Sequence, residues 1–174
     1  ALKEQLAHRP KPSAVVYGWI SAHSRRNYLR KSFFGPNNPG LIPHFEMAGN
    51  RLRWLGMEPG SRANIADGPA LDEIEFKLTR ALIRAMNDLS RQEGIPFVLL
   101  ILQNTDDRVL NSLRDEPGLH VLDVSTVSYA IHHHNGHPTR SWHQAVARAI
   151  AADPLLADLT GLRQLLVRVA IPDP

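Results

Sequence analysis

Three short apolar runs, with helical patterns between and after them, constrain the fold of this chain most strongly. The runs are Ser13–Ile20, Pro96–Leu102 and Leu119–Val124, and turn residues flank each of them. Continuous apolar character over this length is typical of strands that are buried on both faces. Strands that alternate with helices form parallel sheets with helices on both sides. The sequence therefore predicts an α/β fold, with three α/β/α layers around a parallel sheet, in one domain over residues 1–174.

The strongest helical pattern lies between the first two runs. It spans Pro69–Glu93, and Gly94 follows as a helix stop. Apolar residues at spacings of three or four predict one buried face, made of Ile74, Leu78, Leu82, Ala85 and Leu89. Shorter helices are predicted over Asp106–Asp115 and Ser141–Ala152, with further helical turns within Pro154–Val169.

A small β-hairpin is predicted outside this alternating pattern, at about residues 44–55. Its two arms are Phe45-Glu46-Met47 and Leu52-Arg53-Trp54, and Ala48-Gly49-Asn50 separates them. Two short alternating segments around a Gly-Asn turn are typical of a hairpin.

The composition argues against nucleic-acid binding, cysteine chemistry and a membrane span. The net charge is only +3 and the basic residues are scattered, which argues against a nucleic-acid-binding protein. The absence of cysteine excludes disulfides, thiolate nucleophiles and cysteine-based zinc sites. No apolar run reaches the roughly 18 residues that a membrane span needs. The sequence does not indicate a compartment.

Five of the nine histidines follow the third apolar run, between positions 132 and 143. In parallel sheets, ligand sites lie beyond the carboxyl ends of the strands, so these residues are candidates for function. A histidine here can serve as a general base, a metal ligand or a helix cap. His133, His137 and His143 have imidazoles suited to zinc or nickel, but the loop offers no carboxylate to complete such a site. We predict no metal and no cofactor.

The residues around this loop resemble the last catalytic block of the SGNH/GDSL hydrolases. Leu122-Asp123-Val124-Ser125 precedes a variable loop, then Gly136-His137-Pro138 and a helix. Upstream, Val15-Val16-Tyr17-Gly18 resembles the strand that ends in the family's Gly-x-Asn-Asp block. The resemblance implies a flavodoxin-like SGNH hydrolase fold with the hairpin as an insertion. It also implies an esterase, lipase or acyl or acetyl hydrolase that acts on a small ester or acylated substrate.

The resemblance assigns roles to particular residues. His137 matches the histidine that acts as general base. His134 stands at the position of the orienting aspartate, beside Asn135, and neither side chain carries a negative charge. Gly18 begins the block that contributes to the oxyanion hole, and His23 is a polar group close to it. His134, Asn135, Gly18 and His23 are therefore candidate orienting or oxyanion-hole groups, in addition to the general base.

The family's Gly-Asp-Ser nucleophile motif does not occur in the sequence. We therefore expect the serine to come from a missing amino-terminal segment, and the sheet to be incomplete on that side. The strand Ser13–Ile20 would then pair with that segment, a second chain or a copy of itself, because an apolar unpaired edge associates readily. The alternative is a non-catalytic SGNH-like or accessory α/β domain that binds a ligand or partner protein.

Overall fold

A computed structural model describes residues 11–21, 23–24, 40–49, 51–59, 69–103, 107–127 and 138–160. The strands in this part of the chain are β1 (Val15–Ile20), β2 (Leu41–Ala48), β3 (Arg51–Pro59), β4 (Phe97–Gln103) and β5 (Leu119–Asp123). The helices are α1 (Pro69–Gln92), α2 (Asp107–Leu113), α3 (Arg140–Ala152) and α4 (Pro154–Thr160). Helices and strands alternate along the chain as predicted.

The three predicted apolar strands form one parallel sheet in the order β1-β4-β5. Val15 and Leu119 both lie level with Phe97, so the three strands start at the same edge. The central strand β4 is buried from Phe97 to Ile101. Strands with neighbours on both sides and helices above and below lose contact with water, which explains the unbroken apolar sequence of β4. The prediction of a parallel sheet is confirmed.

Two separate apolar clusters show that helices cover both faces of the sheet. On one face, Trp19, Phe97 and Leu99 pack with Ile83 of α1 and Leu113 of α2. On the other face, the packing is between the sheet residues and α3, and the buried members of this cluster are Leu100, Val124, Trp142 and Val146. Successive residues of a strand point to opposite faces, so β4 contributes to both clusters.

The buried face of α1 differs from the predicted one. Ile74 is 37% exposed and Ala85 is also exposed, whereas Leu78 is fully buried as expected. The fully or almost fully buried positions are Glu75, Leu78, Thr79, Ile83, Asn87 and Ser90. They too recur every three or four residues, but four of the six are polar. The apolar pattern alone therefore indicated only part of the buried face, since Leu78 is fully buried and Leu82 and Leu89 are half-buried.

The carboxyl end of α1 is fixed by hydrogen bonds to the turn before β5. Nδ2 of Asn87 donates to the carbonyl of Pro117 at 3.0 Å, and Nε of Arg84 donates to Glu116 Oε2 at 2.5 Å. Gly94 has φ +70°, which places it in the left-handed region that favours glycine after a helix. The predicted helix stop at Gly94 is confirmed.

The hairpin formed by β2 and β3 is longer than the predicted 44–55. It pairs Leu41 with Pro59 at its open end and Ala48 with Arg51 at the turn. The register shifts between His44 and Phe45, which leaves Leu55 as an extra residue on β3. Such a bulge breaks the simple alternation of apolar and polar residues, so sequence periodicity could identify only the regular part near the turn.

The bulge keeps apolar residues on one face of the hairpin along its whole length. By the pairing register, this face comprises Leu41, Pro43, Phe45, Met47, Leu52, Trp54, Met57 and Pro59. The rings of Phe45 and Trp54 lie 4.8 Å apart, centroid to centroid. The opposite face is polar and carries the ion pair between Arg53 and Glu46. The hairpin is therefore amphipathic, although only its turn end lies against α1.

Candidate functional site

The carboxyl ends of β1 and β4 are joined by hydrogen bonds. The N–H of Ser21 donates to the carbonyl of Gln103 at 3.2 Å, and the Ser21 hydroxyl lies 3.5 Å from the same oxygen. The next turn begins at once, because Ser24 N–H donates to the carbonyl of Ser21. Polar groups therefore converge at this edge of the sheet, where a parallel sheet binds its ligands.

The carboxyl end of β5 presents a carboxylate at the same edge. Oδ1 of Asp123 accepts hydrogen bonds from the N–H of Ser125 at 2.9 Å and from its hydroxyl at 2.6 Å. Within the described residues, Oδ2 of Asp123 receives no hydrogen bond. One carboxylate oxygen thus shapes the turn after β5, and the residue as a whole is exposed.

Two of the candidate site residues lie in or after β1. Gly18 is inside the strand, level with Leu100, and a side chain there would start 3.1 Å from Cδ1 of Leu102. A side chain at this position would therefore need Leu102 to shift by a few tenths of an ångström, so the glycine has a packing role in the strand. His23 is half-buried beyond the strand end, and its ring centroid is 6.3 Å from that of Tyr17.

His23 and Asp123 share the sheet edge but do not meet. β4 lies between their strands, so about two strand spacings, roughly 10 Å, separate the two backbones. His23 and Asp123 therefore do not form a histidine–carboxylate pair.

The central candidates His137, His134 and Asn135 lie outside the described residues, so their roles stay predictions. The structure describes both flanks of their loop, up to Val127 and again from Pro138. Thr139 is the N-cap of α3, and its hydroxyl oxygen accepts the N–H of Trp142 at 3.4 Å. The loop thus leaves the carboxyl end of β5 and enters α3 through a capped first turn.

No group of three metal-ligating side chains lies together in the described part of the chain. His143 is exposed on α3, with its ring edge-on to Trp142 at 5.2 Å between centroids. The other two histidines of the considered metal set, His133 and His137, are outside the described residues. Within the same limits, no helix has the length and apolar character required to cross a membrane.

A histidine–aspartate pair that was not predicted from the sequence links the other end of the sheet to the helices. Nε2 of His120, near the start of β5, is 2.8 Å from Oδ2 of Asp153, between α3 and α4. Oδ1 of Asp153 also accepts the N–H of Leu156 at 3.1 Å and so caps α4. The sequence signal was Asp153-Pro154, since aspartate followed by proline is typical of a helix start.

The environment of Asp153 stabilises its ionised form. Burial raises the pKa of this carboxyl, but the hydrogen bonds from His120 and Leu156 together lower it more, and the net pKa lies below its ordinary value. His120 is level with Val98, three residues before Asp123 in β5. This pair is therefore near the amino end of the sheet, away from the candidate site.

Comparison with known proteins identifies no relative: no family model, no curated protein and no solved structure matches this chain.

Proposed function

We propose that this chain is the base-bearing part of a serine ester hydrolase similar to the SGNH/GDSL enzymes. The activity would be that of an esterase, lipase or acyl or acetyl hydrolase, with His137 as general base. The nucleophilic serine would come from a segment outside this sequence. The chain would then supply the carboxyl edge of the sheet on which the site is assembled.

The observation that carries the proposal is the position of the two ends of the histidine loop, at Val127 and Pro138. The loop leaves β5 at the carboxyl edge of a parallel sheet and returns at Pro138, directly before the capped start of α3. β1, β4 and β5 pair in parallel, which brings the carboxyl ends of all three strands to one edge. A general base must lie within hydrogen-bond reach of its nucleophile, and this edge is where an α/β fold brings such groups together.

The expected chemistry assigns His137 two proton transfers in each half-reaction. In acylation its imidazole would take the proton of the serine hydroxyl during attack on the ester carbonyl, then donate it to the leaving alkoxide. In deacylation it would take a proton from the attacking water and donate it to the serine oxygen, which releases the acid. An imidazolium needs a nearby negative charge, which His134 and Asn135 do not supply. Oδ2 of Asp123 is the candidate for this role, because only Oδ1 is bound by Ser125.

The test compares two histidine variants in the full-length protein, including whatever is encoded before Ala1. We expect the native protein to hydrolyse p-nitrophenyl acetate and to be labelled by a fluorophosphonate probe. His137→Ala should lower kcat/KM by about 10²–10⁴-fold, the usual contribution of a general base. His143→Ala, an exposed histidine on α3, is the matched control and should keep full activity. Absence of labelling, or full activity of His137→Ala, would contradict the proposal.

The alternative is a non-catalytic α/β domain that binds a ligand or partner protein. The observation that favours it is the outer edge of β1, which pairs with no other strand within the described residues. Val16 in this strand is 45% exposed. Failure of the full-length protein to hydrolyse esters, combined with capture of a strand at this edge, would favour the alternative.

A further inference from the structure

A groove between the hairpin and α1 has no role in the proposed hydrolase. Its volume is about 500 Å³, within the range of small-molecule sites. Met47 and Leu52 form its hairpin wall, at the turn end of the apolar face. We call this space the hairpin–helix groove.

The helix wall of the groove combines small and cationic side chains. Ala81 and Ala85 leave the space open, and Lys77, Arg80 and Arg84 add three positive charges. The spacing of these positions puts them on one face of α1. That face is roughly opposite the one buried on the sheet, so the groove is separate from the sheet core.

Arg80 is the cation in this wall that forms no ion pair with another residue of the described part of the chain. Lys77 pairs with Glu73 at 3.4 Å and Arg84 with Glu116, whereas Nε of Arg80 is buried with no hydrogen-bond partner in the described part of the chain. A buried donor without an acceptor is costly, and a charged donor more so. Lys77 and Arg84 are three and four residues from Arg80, so like charges flank it.

The acidic residue of the groove is too far along the helix to neutralise Arg80. Asp88 also lines the groove, but eight residues separate the two, a rise of about 12 Å. The positive charge of Arg80 therefore lies beside the apolar hairpin wall of the groove, away from the Asp88 carboxylate. Such a combination suits a ligand with an anionic group at one end and an apolar chain at the other.

We propose that the hairpin–helix groove binds an anionic amphiphile of the fatty-acid type. Its carboxylate would pair with the guanidinium group of Arg80, and its alkyl chain would lie against Met47 and Leu52. Guanidinium groups match carboxylates in shape and charge, and the pair is strongest where water is excluded. The proposal is independent of ester hydrolysis.

The test measures binding of octanoate to the full chain by isothermal titration calorimetry. Octanoate should bind, whereas acetate, which lacks the chain, and octyltrimethylammonium, which reverses the charge, should bind at least about tenfold more weakly. Arg80→Gln should weaken octanoate binding about tenfold, as expected for loss of a charge-assisted hydrogen bond. Arg53→Gln, on the polar face of the hairpin, should bind like the native chain.

A second variant separates loss of charge from loss of space. Ala81→Leu keeps all three cations but fills the groove, and it should also weaken octanoate binding about tenfold. Thermal unfolding midpoints of all variants should match the native chain, which shows that the fold is intact. The proposal is wrong if native protein does not bind octanoate, if acetate binds equally well, or if folded Arg80→Gln retains native affinity.

Discussion

His120 and Asp153 connect the sheet to the junction of two helices through one hydrogen bond. Asp153 is 9% exposed, and its two oxygens have different partners. Oδ1 caps α4, whereas Oδ2 accepts the hydrogen bond from His120. A buried carboxylate is tolerated only when its hydrogen bonds are made, so the position of His120 and the start of α4 depend on each other.

The two functions of Asp153 can be separated by Asp153→Asn. Asparagine caps helices about as well as aspartate, so the variant mainly loses the charge that faces His120. We expect the free energy of unfolding at pH 7 to fall by about 1 kcal/mol. Chemical denaturation monitored by circular dichroism measures this. Asp115→Asn, an exposed residue after α2, should change stability by less than about 0.5 kcal/mol.

The same pair predicts how stability depends on pH. The folded-state pKa of Asp153 is lowered, so its contribution is fully present above the unfolded-state pKa. It is lost as the pH falls through the folded-state pKa. The difference between the native chain and Asp153→Asn should therefore shrink when denaturation is measured in acid, below about pH 4. A difference that is constant or larger in acid would contradict the assignment.

At the scale of the element, α1 buries polar groups on its sheet-facing side. Thr79, Asn87 and Ser90 are fully buried, and one side-chain oxygen of each has no hydrogen-bond partner within the described residues. Replacement of an unsatisfied buried hydroxyl by a methyl group of the same shape removes a desolvation cost. The helix is consequently less stable than its packing alone would make it.

We expect Thr79→Val to raise the free energy of unfolding by about 1 kcal/mol. Urea denaturation compares the variant with the native chain. The control is Thr126→Val, an exposed threonine in the turn after β5, which should have almost no effect. If Thr79→Val were destabilising, its hydroxyl would have a partner that is absent from the described part of the chain.

The same helix shows what could be predicted from the sequence. The bounds of α1 were predicted within one residue, because Gly94 is an unambiguous stop, but its buried face was not. β1, β4 and β5 were recognisable since each is a continuous apolar run, although only β4 is buried along most of its length. The bulge at Leu55 and the contact between His120 and Asp153 depend on register and tertiary packing. Neither has a periodic signature, so the sequence could not predict them.

At the scale of the whole molecule, the outer edge of β1 pairs with no other strand within the described residues. A long apolar strand with an unpaired edge is a template for another strand. We expect the 174-residue chain to self-associate through this edge, and Val16→Lys to raise the dimer dissociation constant at least about tenfold, since a lysine on an edge strand opposes pairing. Sedimentation velocity over a range of concentrations measures this constant.

The control for this experiment lies on the hairpin. Leu41 is 62% exposed, so Leu41→Lys removes a comparable apolar side chain from a different surface. Self-association that responds to Leu41→Lys and not to Val16→Lys would assign the interface to the hairpin. A monomeric native chain at all concentrations would exclude pairing between copies at β1.

The pairing of β1 with β4 also determines the order in which the sheet can form. Val15 lies beside Phe97, and 97 − 15 gives a separation of 82 residues along the chain. The hairpin and the unit from β4 to β5 close much shorter loops, and loop closure becomes slower and less favourable with length. During synthesis, β1 leaves the ribosome long before its partner strand exists. Among the described strands, β1 therefore has the longest exposure to wrong partners before its own partner is made.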